Sequence, residues 1–277
     1  MKDINISIVN YKMKDDIEKC LASLSNDIKN SALNVNIVLI DNDSNDDVGE
    51  FIRKKYPNMD FVAQSKNLGF GMSQNIGIKR HAAKYQFILN PDTIFPENAN
   101  TIRKMYDFME KNTKIGLIGP KIIYPDGSLQ YSCYRFPVFF QPIFSRTKLG
   151  ERGMGKKIKN KFLMMDFDHK QTIPVDWVMG SAMFARSAAL EEVGLFDESF
   201  FMYAEDSDLC RRMWESGWPV YYVHDIVIKH SHGRGSAKVP GVVRALLKNK
   251  LARIHIKSWF RYMWKWKGNK KYYESKS

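Results

Sequence analysis

Three short stretches of the chain carry acids and imidazoles at spacings that suit chemistry. The first is Phe87-Ile88-Leu89-Asn90-Pro91-Asp92, an apolar run that stops at a stiff polar turn. Such a run reads as a buried parallel strand. Pro91 cannot continue a strand ladder and biases Asn90 towards an extended backbone, so the chain turns and Asp92 lands at the carboxyl edge of a sheet. Open α/β sheets bind ligands at that edge. A carboxylate held there suits Mg²⁺ or Mn²⁺ carrying a diphosphate, because these ions share oxygen ligands with phosphates. The same hexapeptide also reads as a plain Asx or Pro turn closing a strand.

The second stretch is Phe200-Phe201-Met202-Tyr203-Ala204-Glu205-Asp206-Ser207-Asp208. Leu209 and Met213 at helical spacing put Glu205 and Asp206 on the first turn of a helix running to about Ser216. The macrodipole favours acids there, so helix capping with an Asp208–Arg212 pair is one reading. Two adjacent acids behind bulky side chains suggest another, a general base for a hydroxyl. The dipole lowers such a pKa and an apolar wall raises it. The third stretch, His230-Ser231-His232-Gly233-Arg234, follows a strand. Histidines two apart on a strand face opposite ways, and His230, nearer the strand, is the better candidate for a metal or a phosphate. Asn67-Leu68-Gly69-Phe70-Gly71 could let a phosphate or sugar approach backbone N–H groups, or simply cap a helix. It lacks the third glycine of a dinucleotide fingerprint, which argues against a nicotinamide enzyme.

The elements that must position these residues alternate. Ile4–Tyr11, Val35–Ile40, Met59–Ala63 and the Phe87 run read as strands. Helices are expected over Lys14–Leu24, Glu50–Tyr56 and from Met72 to about Ala83. The acidic cluster from Asp41 to Asp47 closes the second strand. This is the nucleotide-binding half of a doubly wound α/β fold. Further on, a helix is expected over Asn98–Lys111 and strands over Gly116–Ile123, Val175–Ala185, Val220–Val223 and Ile226–Ile228. Gly194 closes a helix over Ala188–Val193. The basic stretch from Tyr131 to about Lys170 shows little periodicity, and Gly150–Gly155 reads as a mobile segment.

Forty-three basic and 30 acidic residues leave a net charge of +13, which points to an anionic partner. Twelve Lys or Arg and a single acid, Glu274, lie from Lys238 onward, interleaved with Trp259, Phe260 and Trp264. A basic helix with such aromatics suits an anionic membrane interface. The other readings are a helix docked on the domain with its bases facing water, and a nucleic-acid patch; the aromatics put the membrane first and nucleic acid last. Cys20, Cys133 and Cys210 form neither a disulfide framework nor a zinc pattern. With no signal peptide and no run of ~18 apolar residues, the expected location is cytoplasmic, peripheral on the inner face of the membrane.

Taken together, ISIVNY, DNDS (41–44), NLGFGMSQNIG (67–77), LNPD (89–92), DWVMGSAMFARSAAL (176–190) and GLFDESFFMYAEDSDLCRR (194–212) resemble an inverting family-2 glycosyltransferase with a GT-A fold. The resemblance covers residues 4–236. The FFMYAEDSDLC segment and HIKSWFRYM (255–263) are similar to rhamnosyltransferases of bacterial O-antigen and related surface polysaccharides. It implies a mostly parallel Rossmann-like sheet flanked by helices in a domain over 1–236. The nucleotide half would be about 1–95 and the acceptor half about 96–236, followed by a basic helical tail over 237–277. It further implies that Asn10 and Asp41 contact base and ribose, and that Asn67 and Gly69 line the nucleotide pocket. Asp92 and His230 would bind Mg²⁺ or Mn²⁺, with Asn90 where the motif's first acid usually stands. Asp206 would be the catalytic base with Glu205 beside it, and Asp176 and Trp177 would meet the sugars. The implied reaction moves a sugar, best L-rhamnose from dTDP-rhamnose, to a lipid-diphosphate-linked saccharide. A UDP-sugar hexosyltransferase and a non-catalytic sugar-nucleotide binder remain alternatives.

Overall fold

The computed structural model describes residues 1–139, 148–231 and 249–268; His232, Arg234 and the tail stretches 237–248 and 269–277 lie outside them. β1 (Lys2–Asn10) alternates Ile4, Ile6 and Ile8 on one face with Asn5 and Ser7 on the other, all buried. The isoleucines meet α1 (Lys14–Lys29) through Ile17, Cys20, Leu21 and Leu24. On the opposite face α3 (Phe70–Arg80) lies so close that a Cβ at Gly77 would sit 2.0 Å from Ser7 Oγ. Asn5 Nδ2 donates to Gly77 O and to Gln86 Oε1, which ties β1 to α3 and β4 inside the core.

β2 (Val35–Asp41), α2 (Val48–Lys55), β3 (Asp60–Ala63) and β4 (Ala83–Leu89) complete the first half. β5 (Thr93–Ile94), α4 (Thr101–Lys111), β6 (Leu117–Ile123), β7 (Leu129–Gln130) and β8 (Cys133–Tyr134) follow. A helix over Gly153–Phe162 is α5, and β9 (Ile173–Pro174), β10 (Trp177–Val178) and β11 (Ala182–Arg186) lead to α6 (Ser187–Val193). α7 (Glu205–Glu215), β12 (Val220–His230) and α8 (Lys250–Lys265) end the described chain. The main sheet runs β3-β2-β1-β4-β11-β6-β12-β5. Its long ladders, β1 with β2 and β4, β2 with β3, and β6 with β12, are parallel, and β11 enters antiparallel between β4 and β6. This is a mixed α/β fold with a central sheet between helical layers.

Three expectations change. Gly150–Gly155, expected as a mobile segment, holds the end of a 3₁₀ turn over Lys148–Glu151 and the first residues of α5; Lys156, Lys157, Lys159 and Lys161 are good helix formers whose lack of apolar periodicity hid that helix. Val175–Ala185 is two strands, because Gly180 and Ser181 form the turn between β10 and β11. The two strands expected over Val220–Ile228 are one strand with a register shift between Val223 and Val227.

α8 packs on α7. Asp208, wholly buried, accepts from Arg212 Nε at 2.9 Å, Lys265 Nζ at 3.0 Å and Trp266 Nε1 at 3.0 Å. The tail helix is two-sided: Ala252, Ser258 and Tyr262 are buried, while Arg253, Lys257, Phe260, Arg261 and Trp264 face outward. No helix among the described residues is long and apolar enough to cross a membrane. Asp208→Ala leaves three donors without their shared acceptor and is expected to destabilise the fold by about 2–3 kcal/mol, the lower part of the range for broken buried pairs because Lys265 is partly solvated. Urea unfolding of the full chain measures it.

Candidate active site

The carboxyl edge of the parallel strands gathers the first set of residues. Asn10 and Asp41 end β1 and β2 in register. Asn10 Nδ2 reaches Asp41 Oδ1 (3.0 Å), Ser44 Oγ (2.9 Å) and Asp46 Oδ2 (3.2 Å), while its Oδ1 accepts the Met13 N–H. Asn42, which follows Asp41, ties this edge to the glycine loop. Its Oδ1 accepts from Leu68 N at 2.8 Å, and its Nδ2 donates to Asn67 Oδ1 at 2.9 Å and Gly69 O at 3.2 Å. Asn67 Oδ1 in turn accepts the Gly69 N–H. The sequence offered Asn42 only as one member of a polar turn.

Gly69 has φ +85°, and a Cβ there would sit 2.1 Å from the Phe201 carbonyl oxygen. That carbonyl accepts the Phe70 N–H at 2.9 Å, so the glycine loop is pinned to the segment preceding Asp206. Gly69→Ala combines a left-handed backbone with a backbone clash. The expected cost is about 3 kcal/mol or more, read as a fall in melting temperature in differential scanning fluorimetry.

β5 and β12 pair Thr93 with His230 and bring Asp92 to the imidazole. His230 Nε2 and Asp92 Oδ1 are 3.0 Å apart, and both side chains are at most 9% exposed. Gln130 Oε1 stands 3.1 Å from His230 Nδ1, and Asn90 Nδ2 stands 3.4 Å from Nε2. The Asp92 carboxylate, an acceptor, faces Nε2 and the Gln130 side-chain amide faces Nδ1, so each ring nitrogen has a partner that fixes the imidazole's orientation. The two predicted metal ligands therefore do meet. Among the described residues no third His, Cys, Asp or Glu joins them. Gln130, on a two-residue strand far away in sequence, carried no signal.

Asp206 opens α7. Its Oδ2 accepts from Gly180 N at 3.0 Å and its Oδ1 from Ser207 N at 2.8 Å. Burial pushes its carboxyl up to about 6, against the pull of those backbone N–H groups. Glu205 is pushed well above the usual carboxylate range, first by burial and then by the neighbouring Asp206 charge. Its Oε2 has no hydrogen-bond partner among the described residues. Of the two, Glu205 holds its proton while Asp206 gives one up near pH 6. The chain enters this helix through Tyr203 and Ala204 at φ 70° and 69°, consecutive left-handed residues of the kind that collect at functional sites.

Asp176 and Trp177 brace the neighbouring segment. Asp176 accepts from Phe136 N (2.8 Å) and Arg135 Nη1 (3.2 Å), and Trp177 stacks on Tyr134 at 4.3 Å. They stand one short turn before Gly180, whose N–H serves Asp206.

A model of glycosyl transferase family 2 matches residues 5–186, more than half of the chain. The chain belongs to that family. This glycosyltransferase is 27% identical over 243 residues to N-acetylglucosaminyl-diphospho-decaprenol L-rhamnosyltransferase of Mycobacterium tuberculosis, covering 84% of this chain and 77% of that protein. It is 28% identical over 274 residues to rhamnosyltransferase WbbL of Escherichia coli K12, covering 94% and 92%. Solved structures share its fold, which is GT-A. S. aureus TarS 1-349 aligns with TM-score 0.57 and 13% identity over 83% of this chain, which spans 60% of the TarS chain. The mannosyltransferase PcManGT from Pyrobaculum calidifontis, in complex with GDP-Man and Mn2+, aligns with TM-score 0.55 and 15% identity over 90% of this chain and 67% of its own. A carboxylate oxygen and an imidazole nitrogen, as Asp92 and His230 present them 3.0 Å apart, are ligands of the kind an ion of the Mn²⁺ type takes.

Proposed function

We propose that this glycosyltransferase moves L-rhamnose from dTDP-rhamnose to a lipid-diphosphate-linked saccharide, with inversion at the anomeric carbon. The names of its two rhamnosyltransferase relatives support the sugar, and the mycobacterial one supports the acceptor class. Asn10 and Asp41 hold base and ribose, with Asn67 and Gly69 along the nucleotide pocket. Asp92 and His230 hold Mg²⁺ or Mn²⁺, which when bound would offset the charge of the departing nucleoside diphosphate. Asp206 takes the proton of the acceptor hydroxyl as its oxygen attacks in line. Asp176 and Trp177 stand on the sugar side. No acid is needed for the leaving group, so a single ionised carboxylate suffices.

The observation that carries this reading is Asp206: a half-buried carboxylate held by two backbone N–H groups, its carboxyl pushed up to about 6 by desolvation, beside the buried Glu205, whose carboxyl is pushed well above the usual range. A base of that pKa is ionised at neutral pH and still accepts a proton. The test is thermal stabilisation by Mn²⁺ with dTDP-rhamnose, UDP-glucose or UDP-galactose, where binding appears as RT ln(1 + [L]/Kd). A shift with dTDP-rhamnose that requires the metal is expected. A shift with a UDP-sugar alone replaces the donor, and no shift with any of the three contradicts the reading.

The outward face of α8, with Phe260 56% and Trp264 79% exposed beside the exposed Arg253, rests on the anionic inner leaflet where such an acceptor is anchored. Phe260→Glu/Trp264→Glu is expected to lower co-sedimentation with anionic phosphatidylglycerol liposomes at least tenfold. Unchanged sedimentation would leave α8 with its docking role only.

A further inference from the structure

A groove of about 350 Å³ runs between α8 and the loop that leads into α7. Lys250, Ile254, Lys257 and Arg261 of α8 face Ser199 and Phe201 across it, and among the described residues no carboxylate lines it. Three cations and two apolar walls are an unusual pairing for a surface groove, and they specify a ligand that is anionic at one point and greasy beside it.

The position of the groove says more. Phe201 is the residue whose carbonyl fits against Gly69 and accepts the Phe70 N–H, so one wall continues into the glycine loop of the nucleotide half. The next carbonyl, of Met202, accepts from Ser258 Oγ at 2.8 Å, and Tyr203 stacks on His255 with ring centroids 4.5 Å apart. Arg261 Nη1 donates to Ser199 O. The groove floor is thus the segment that carries Asp206 three residues later. On its outer side, the same helix presents Phe260 and Trp264.

We propose that this groove binds the diphosphate of the lipid-linked acceptor, with the first lipid carbons along Phe201 and Ile254; the proposal rests on the transferase reading above. A diphosphate bridging lipid and sugar carries a negative charge on each phosphorus, and Lys250, Lys257 and Arg261 answer it directly. The donor's diphosphate is a different case. Its place is the Asp92 edge, where a carboxylate and an imidazole can share a metal, whereas the described lining of the groove has lysines and no carboxylate, and apolar walls that a nucleotide would not use. The sugar would then point inward, towards α7, and the lipid outward, towards the exposed face of α8.

Calorimetric titration of the full chain with farnesyl diphosphate, farnesol, inorganic diphosphate and dTDP at fixed salt tests it. Farnesyl diphosphate is expected to bind, with farnesol and inorganic diphosphate weaker by roughly tenfold or more, and dTDP is expected not to displace it. Lys250→Ala and Lys257→Ala should each raise its Kd roughly tenfold, and the pair roughly a hundredfold. Lys54→Ala, the same charge change on an exposed site of α2, should leave it unchanged, and every variant should bind dTDP-rhamnose as wild type does. Wild-type affinity in the double variant, or displacement by dTDP, overturns the proposal. A chain that binds dTDP-rhamnose and no farnesyl diphosphate overturns the groove alone; one that does not bind dTDP-rhamnose overturns the transferase reading beneath it.

Discussion

Asp206→Asn is expected to lower kcat about a thousandfold, within the range that general-base removal costs, while donor affinity stays near wild type. The amide keeps the size of the carboxylate and can still accept the Gly180 or Ser207 N–H, so the start of α7 holds its shape. What it cannot do is take a proton. The pH profile gives the same residue a second signature. Asp206 works only as the carboxylate, and its carboxyl is pushed up to about 6. Wild-type kcat should therefore be flat above pH 7 and fall tenfold per pH unit well below 6, as protonation removes the base. That limb should vanish from the residual activity of the variant. Glu205→Gln should keep the limb, because burial and the Asp206 charge already hold Glu205 protonated. A variant at Glu205 that abolishes the limb would reverse the assignment of the two acids.

Asp92→Ala is expected to reduce turnover a hundredfold or more, on the order of losing one charge-stabilising group at a transferring centre. In this variant Mn²⁺ should no longer increase the thermal shift given by dTDP-rhamnose. The alanine removes the carboxylate that faces His230 Nε2, and with it the oxygen of the proposed metal pair. A supporting variant separates metal binding from packing. Gln130→Leu removes the hydrogen-bond partner of His230 Nδ1 that orients the ring. Loss of such an outer partner typically costs ten- to a hundredfold in metal affinity, so the Mn²⁺ concentration for half-maximal activity should rise while kcat at saturating metal changes little. If Asp92→Ala retained a metal-dependent shift, the metal would have to sit elsewhere.

Much of this arrangement was legible before any coordinates, for identifiable reasons. β1, β2 and β4 are short β-branched or apolar runs ended by Asn10, Asp41 and Asn90-Pro91-Asp92, and a buried parallel sheet leaves few other readings of such a pattern. Asp206 was visible because four bulky residues before two acids make poor sense as capping alone. The groups that tune these side chains were not legible. Gly180 acts through its N–H, which any residue type would supply. Gln130 meets His230 across 100 positions, and Asn42 looked like any other member of an acidic turn. Lysine-rich α5 hid its helix for lack of an apolar stripe. The tail is the instructive case. Docking and membrane contact stood as competing readings of the same residues, yet α8 buries one face against Asp208 and leaves Phe260 and Trp264 on the other. A helix has room for both, and composition does not separate the two faces.

The central claim is a transfer reaction, and the most direct measurement is the product. Purified full-length chain, Mn²⁺ and dTDP-rhamnose would be incubated with a short-chain polyprenyl diphosphate bearing N-acetylglucosamine, and the lipid analysed by mass spectrometry. The account predicts a product heavier by one deoxyhexose residue, formed by wild type and reduced about a thousandfold with Asp206→Asn. No such product from wild type, with dTDP-rhamnose bound in the same sample, would contradict it.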